Sequence, residues 1–88
     1  MSIAPTTESV TKTVQQVIAD VTGNDLVEIH PQAELEEELG VTPVDLGRIV
    51  AELNNTLGLE LDIRAIEAED ITTVQELTII VTEEALLG

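Results

Sequence analysis

The segment that most constrains the fold runs from Leu39 to Leu46 and has the pattern of a loop that enters a helix. Thr42 precedes Pro43, and a hydroxyl residue before a proline is a strong helix start, because the oxygen caps a free backbone N–H and proline has none to leave unpaired. Asp45 is placed to complete a capping box. Apolar residues then recur at helical spacing, namely Leu46, Ile49, Val50, Leu53 and Leu57. The segment predicts an amphipathic helix that starts at Pro43 and packs against a core.

The other face of this predicted helix carries mostly small and polar residues, with one apolar residue, Val44, at its leading end. They are Val44, Arg48, Ala51 and Asn55, with Gly47 and Glu52 at the edges. Val44 beside the helix start has two interpretations, an ordinary exposed residue or a docking contact. Gly47 costs roughly 1 kcal/mol relative to alanine inside a helix, so it indicates either a close backbone approach or a neutral change at an exposed position.

Charge and composition exclude several kinds of function. Among 88 residues, 18 are acidic and 3 basic, for a net charge of −15. Such a surface repels nucleic acid and anionic membrane, so partners should present basic patches, although acidity also favours solubility without any partner.

The chain lacks cysteine, and a single histidine, His30, cannot anchor a usual zinc site. We find no placed nucleophile–base pair, glycine-rich phosphate loop or calcium-loop pattern, and the sequence predicts neither an enzyme nor a metal protein. Without a targeting signal or membrane span in the sequence, we expect a cytoplasmic protein.

The first part of the chain predicts a helix followed by a long loop. Residues 1–7 are expected to form a flexible tail and residues 8–88 a single domain. A helix is predicted from Glu8 to the C-cap Gly23, with Val10, Val14, Val17, Ile18 and Val21 on its apolar face. The connection over residues 24–41 is expected to carry one extra turn over residues 34–40. Apolar side chains should tie it down, and the candidates are Leu26, Val27, Ile29, Leu35 and Leu39.

The last part of the chain predicts one short and one longer helix. Asp62 is a plausible cap for a short helix over Ile63 to Glu67. The last helix begins with a capping box in one of two registers, Thr72 with Gln75 or Thr73 with Glu76. The run Thr78 to Thr82 also resembles a strand, but a lone strand would have no partner, so a helix is predicted. The face of this last helix that is expected to enter the core carries Val74, Leu77, Val81 and Ala85. Ile79 and Leu86 are left without an assigned contact.

The run from Leu39 to Val44 and the segments Val50 to Leu53 and Leu57 to Leu61 resemble acyl and peptidyl carrier proteins. In that family a Leu-Gly pair is followed by a variable residue, Asp or His, serine and leucine, and the serine carries a 4′-phosphopantetheine arm. Here Thr42 takes the Asp/His position, Pro43 the serine position and Val44 the leucine position. The resemblance covers nearly the whole chain. It implies an all-α four-helix bundle with three longer helices, a short third helix and a long first loop.

The missing serine leaves the cofactor question open. Proline has no nucleophile, and the two serines, Ser2 and Ser9, lie far upstream. Thr42 is therefore either a plain helix cap or a variant attachment point for phosphopantetheine.

The resemblance also implies partners and a role. It implies docking on pathway enzymes with basic surfaces, such as synthases, transferases and a phosphopantetheinyl transferase, and we expect a monomer. The residues expected to bind them are Val44, Asp45, Gly47, Arg48, Ala51 and Glu52. In the family the second helix typically has a strongly acidic face, whereas most acidic residues of this chain lie outside that helix. This distribution favours a discrete carrier of a polyketide or nonribosomal peptide pathway over a carrier that docks as in fatty-acid synthesis. Two alternatives remain open, a docking or regulatory module without an acyl group and an unrelated acidic helical protein.

Overall fold

The computed structural model describes residues 6–87, which contain four α-helices. They are α1 (Thr7–Thr22), α2 (Pro43–Leu57), α3 (Ile63–Ala68) and α4 (Val74–Leu87), and a 3₁₀ turn (Leu26–Glu28) lies in the loop after α1. The predicted fold class is confirmed, since three helices are long, the third is short and the first loop is long. No helix in residues 6–87 has the length and apolar character needed to cross a membrane.

Helix α1 starts one residue earlier than predicted. Thr6 is its N-cap, because the Thr6 hydroxyl accepts from the Ser9 backbone N–H at 3.1 Å and the Ser9 hydroxyl accepts from the Thr6 N–H at 2.9 Å. The sequence pattern pointed to apolar spacing and missed this polar capping box. Of the expected tail, residues 6 and 7 belong to the helix start and residues 1–5 lie outside the described part.

The core is built from aliphatic side chains where α1, α2 and α4 meet. Its largest fully buried members include Ile18, Ile49, Leu53 and Leu77. The stripe predicted for α2 is confirmed, with Ile49, Val50 and Leu53 buried and Leu46 and Leu57 half-buried against the same core. On α4, Val74, Leu77 and Val81 are buried and Ala85 is half-buried, also as predicted.

The long loop is held by three of the five residues expected to tie it down, and by two others. Ile29, Leu35 and Leu39 are buried, but Leu26 and Val27 are exposed, and Val27 keeps 86% of its surface. The prediction for these two residues was wrong because they lie on the 3₁₀ turn, whose residues point in three directions around a single turn. Ala33 and Val41, which the sequence analysis did not single out, are buried instead.

Backbone hydrogen bonds join the loop to the start of α4. The Leu35 N–H donates to the Thr72 carbonyl at 2.8 Å, and the Val74 N–H donates to the Ala33 carbonyl at 3.0 Å. Residues 35–39 then form one turn, in which the Glu38 N–H donates to the Glu34 carbonyl at 3.0 Å. This confirms the extra turn and places the loop end, and with it Thr42, at a fixed position.

The ambiguous run Thr78 to Thr82 lies inside α4 and is helical, as predicted. Glu76 settles the capping register, because its carboxylate accepts from the Thr73 N–H at 3.1 Å while the Thr73 hydroxyl accepts from the Glu76 N–H at 3.2 Å. Ile79 is 51% exposed. It lines a groove of about 320 Å³ between α1 and α4.

Helix α3 begins as predicted, since Asp62 caps it by accepting from the Arg64 N–H at 2.9 Å. It ends at Ala68, one residue beyond the predicted Glu67.

Candidate attachment site and docking face

The start of α2 is a reciprocal capping box between Thr42 and Asp45. The Thr42 hydroxyl oxygen accepts from the Asp45 backbone N–H at 3.1 Å, and the Asp45 carboxylate accepts from the Thr42 N–H at 3.2 Å. Pro43 occupies the first helical position, where its missing N–H costs nothing. The predicted helix start is confirmed, and the side chains of Thr42 and Pro43 are both exposed.

The residue before Thr42 fixes where its side chain lies. Val41 is buried, and its N–H donates to the Leu35 carbonyl at 2.8 Å. Thr42 therefore follows directly on an anchored residue and precedes a helix. Its hydroxyl is held at the surface by ordered structure on both sides.

A cleft of about 240 Å³ lies beside Thr42 and Pro43. Its apolar part comes from Leu35, Val41, Leu46 and Ile71. Its acidic part comes from Glu34, Glu36, Glu37 and Glu67. The sequence analysis did not single out Ile71 or Glu67 for this site, because both reach it from the segment around α3, and no local pattern signals that contact.

Carboxylates crowd one wall of this cleft. A side-chain hydrogen bond with Glu37, and then repulsion from the Glu37 and Glu38 carboxylates, raise the pKa of Glu34 above its ordinary value. Protonation is favoured because it removes a like-charge contact and supplies a donor. Four acidic side chains nonetheless line the cleft, so a ligand or partner that enters it meets an acidic wall.

The outer face of α2 presents the residues predicted to bind partners. Val44 keeps 72% of its surface, and Arg48, Ala51 and Glu52 are exposed. Val44, Arg48 and Ala51 follow at intervals of four and three residues, so they share one side of the helix. Asp45 and Gly47 are half-buried at its edge.

Gly47 makes no close backbone approach to the chain itself. Within residues 6–87, nothing lies within 4 Å of a Cβ atom built at this position. The interpretation of Gly47 as a close-packing residue is wrong for contacts inside the domain. Approach by a partner remains a prediction.

Residues 6–87 include many carboxylates and the single histidine. They contain no group of three or more His, Cys, Asp or Glu side chains that could hold a metal ion. His30 is exposed in the loop after the 3₁₀ turn. At the start of α2, the exposed hydroxyl is that of Thr42.

Comparison with known proteins defines the class to which this fold and site belong. Residues 12–81 match the family described as "Phosphopantetheine attachment site" (PP-binding). The chain is 36% identical over 69 residues to a protein of Rubrobacter xylanophilus named "Acyl carrier protein", a match that spans 78% of this chain and 83% of the relative. It is 29% identical over 68 residues, 77% of this chain and 85% of the relative, to an "Acyl carrier protein" of Solidesulfovibrio magneticus. The chain belongs to the phosphopantetheine-attachment family.

Family membership fixes the general role. Acyl carrier proteins are carriers and not enzymes, so the chain has a carrier-type role and pathway enzymes are its partners. The family implies a phosphopantetheine attachment site. Attachment is a phosphodiester and needs a hydroxyl oxygen. At the start of α2, Thr42 supplies one and Pro43 does not.

Proposed function

We propose that this protein is a discrete acyl carrier of a polyketide, nonribosomal peptide or fatty-acid-type pathway, working in the cytoplasm as a monomer, and that Thr42 is its displaced phosphopantetheine attachment point. One observation carries the proposal. Thr42 is exposed at the first turn of α2 and bears the only hydroxyl between Leu39 and Leu46, next to the proline at the family's serine position.

The chemistry at Thr42 is compatible with a phosphodiester. The hydroxyl oxygen accepts one backbone N–H and retains its own proton. A phosphate at the N-terminus of a helix is stabilised by the free N–H groups and by the helix dipole. When bound, the cofactor supplies the thiol that holds an acyl group. The residues around Thr42 position the hydroxyl, and the cleft lies beside it.

Docking is assigned to the outer face of α2. Val44 is the apolar anchor, Arg48, Ala51 and Glu52 surround it, and Asp45 and Gly47 form its edge. This face has mixed charge, whereas five residues from Glu34 to Glu38 include four acids. The resemblance implies a strongly acidic second helix where a carrier docks as in fatty-acid synthesis. The mixed charge of α2 therefore supports a polyketide or nonribosomal peptide pathway.

A matched pair of variants tests the docking face. Val44→Asn removes the anchor, and Val27→Asn makes the same change at an exposed residue on the 3₁₀ turn. We expect Val44→Asn to slow loading by a broad-specificity phosphopantetheinyl transferase at least about tenfold, equivalent to roughly 1.4 kcal/mol, and Val27→Asn to leave the rate unchanged. Both variants are also made in the Pro43→Ser chain, and equal measurable rates for the two would remove Val44 from the docking face.

A second candidate function is a docking or regulatory module without an acyl group. It is favoured by a specific observation, namely that the hydroxyl nearest the family's serine position already caps α2. In this alternative the protein binds carrier-recognising enzymes through the same face of α2 and is never loaded.

Intact-protein mass spectrometry separates the two functions. The native chain, Thr42→Asn and Thr42→Ser are each incubated with coenzyme A and the transferase. Asparagine retains the helix cap but has no hydroxyl, while serine retains both. The proposal predicts a phosphopantetheine mass gain on the native chain and Thr42→Ser, and none on Thr42→Asn. Pro43→Ser is the positive control, and its loading without loading of the native chain would favour the second function.

A further inference from the structure

Another groove of the described chain lies away from Thr42. It has a volume of about 480 Å³ and lies between the loop over residues 60–62, α3 and the second half of α4. Its apolar lining runs from a buried floor to an exposed edge. Ile66 is buried, Leu61 and Ile80 are half-buried, and Leu87 at the end of α4 keeps 82% of its surface. We call this feature the α3–α4 groove.

The walls of the α3–α4 groove form an acidic rim. Its members are Glu60, Asp62, Glu69, Glu83 and Glu84. No basic residue lines the groove. The one salt bridge within residues 6–87 joins Lys12 to Glu8 on α1, so the rim carboxylates have no ion-pair partner in the described chain. Four of the five are exposed, and their charges are directed at whatever enters the groove.

Hydrogen bonds hold the groove in shape. The Asn54 side chain of α2 accepts from the Leu61 N–H at 2.7 Å and donates to the Leu61 carbonyl at 3.0 Å. The next residue, Asp62, caps α3. The loop that forms one wall is therefore fixed to two helices. Because this loop is already ordered, binding of a ligand loses no conformational entropy there, and this favours affinity.

Charge decides between possible occupants. A second copy of this chain would bring another molecule with net charge −15 and 3 basic residues against the acidic rim. Fatty acids, anionic lipid and nucleic acid are repelled for the same reason. An occupant that complements both the apolar floor and the rim has apolar side chains along one side and lysine or arginine on either flank.

We propose that the α3–α4 groove is a second docking surface, which binds a basic amphipathic helix presented by another protein. Apolar side chains of that helix fill the floor between Leu61 and Leu87, and its cations pair with the rim. This surface is separate from the outer face of α2. The proposal does not rest on whether Thr42 is loaded.

Nuclear magnetic resonance with the full-length, ¹⁵N-labelled protein tests this proposal. The probe is a helical peptide of leucine and lysine, about 14 residues and roughly four turns long, with its leucines on one face. We expect the amide signals of Leu61, Ile66 and Leu87 to shift first. Shifts centred instead on α2, or spread evenly over the acidic surface, would overturn the proposal. Formation of a dimer of the free protein through these residues would also overturn it.

Two charge-reversed variants make the test specific. E60K/E69K changes two exposed rim residues, and E36K/E37K makes the same change of net charge outside the groove. The peptide should bind E60K/E69K about tenfold more weakly and E36K/E37K within about twofold of the native chain. Equal weakening by both variants would mean that only the overall charge attracts the peptide.

The apolar floor has its own pair of variants. Leu87→Asn removes the exposed apolar residue at the edge of the groove, and Val27→Asn is its control. We expect only Leu87→Asn to weaken binding in high salt, where charge attraction is screened and apolar contact remains. If neither variant changes the affinity, the floor does not bind the peptide. The backbone signals of each variant report whether it is folded, and Glu69→Lys alone replaces E60K/E69K if the double variant is not.

Discussion

Thr42 and Asp45 bind each other's backbone N–H groups through their side chains, at 3.1 Å and 3.2 Å. The group proposed to carry the cofactor therefore also starts the helix that presents it. A substitution at Thr42 acts on folding and on loading, and the two effects have to be separated. Asparagine and alanine do this, because neither has a hydroxyl and only asparagine caps.

Thr42→Ala should lower the free energy of unfolding by about 1 kcal/mol, since the Asp45 N–H loses its acceptor. Thr42→Asn should leave the free energy of unfolding within about a few tenths of a kcal/mol of the native value, because asparagine also caps. Urea unfolding followed by circular dichroism measures both. Equal stabilities of the alanine and asparagine variants would show that the cap contributes nothing.

Gly47→Ala should stabilise the protein by roughly 1 kcal/mol, because alanine has the higher helix propensity and a Cβ atom here meets nothing within 4 Å. For a domain of this size the melting temperature should rise by about 4–8 °C. Thermal unfolding checks this expectation. A lower melting temperature would mean that the space around Gly47 is needed.

Asn54→Ala should destabilise the protein by about 1–3 kcal/mol, because the half-buried Leu61 N–H and carbonyl both lose their partner. Asn55→Ala is the matched control, since Asn55 is the exposed neighbour on the same helix. Denaturant unfolding compares the two. A similar cost for both variants would show that the hydrogen bonds to Leu61 are dispensable.

Glu76 should make stability depend on pH. Hydrogen bonds from the Thr72 backbone and side chain and from Thr73 hold the pKa of Glu76 below its ordinary value of 4.5. A lowered pKa in the folded state stabilises the protein above the unfolded pKa, and that contribution is lost as the pH falls through the folded pKa. The native chain should therefore exceed Glu76→Gln in stability at pH 7, with the difference shrinking below about pH 4.5. A difference independent of pH would contradict this cause.

The helices were predictable because their signals are local. Caps such as Thr42 and Asp62 and the apolar spacing of α2 and α4 each span a few residues, and the structure has helices at these places. The long loop was less predictable. Val27 is exposed although it is apolar, because it lies on the 3₁₀ turn. Ala33 is buried because its carbonyl accepts from the Val74 N–H, and this contact with the start of α4 is not signalled by any local pattern.

The candidate site was only partly predictable. The sequence placed Thr42, Pro43 and Val44 together at the surface, as the structure does. The cleft beside them and the α3–α4 groove combine residues that are far apart in the chain, such as Glu36 with Ile71 and Leu61 with Leu87. Periodicity within one helix carries no information on which loop and helix will meet.

The most direct test of the central claim is the position of the cofactor on the native chain. The protein is produced together with a broad-specificity phosphopantetheinyl transferase. The undigested protein is then fragmented in the mass spectrometer. We predict that the added mass lies between Val41 and Asp45 and therefore on Thr42. An unmodified native chain, with Pro43→Ser modified at residue 43 by the same enzyme, would contradict the claim and favour a docking module that this enzyme does not load.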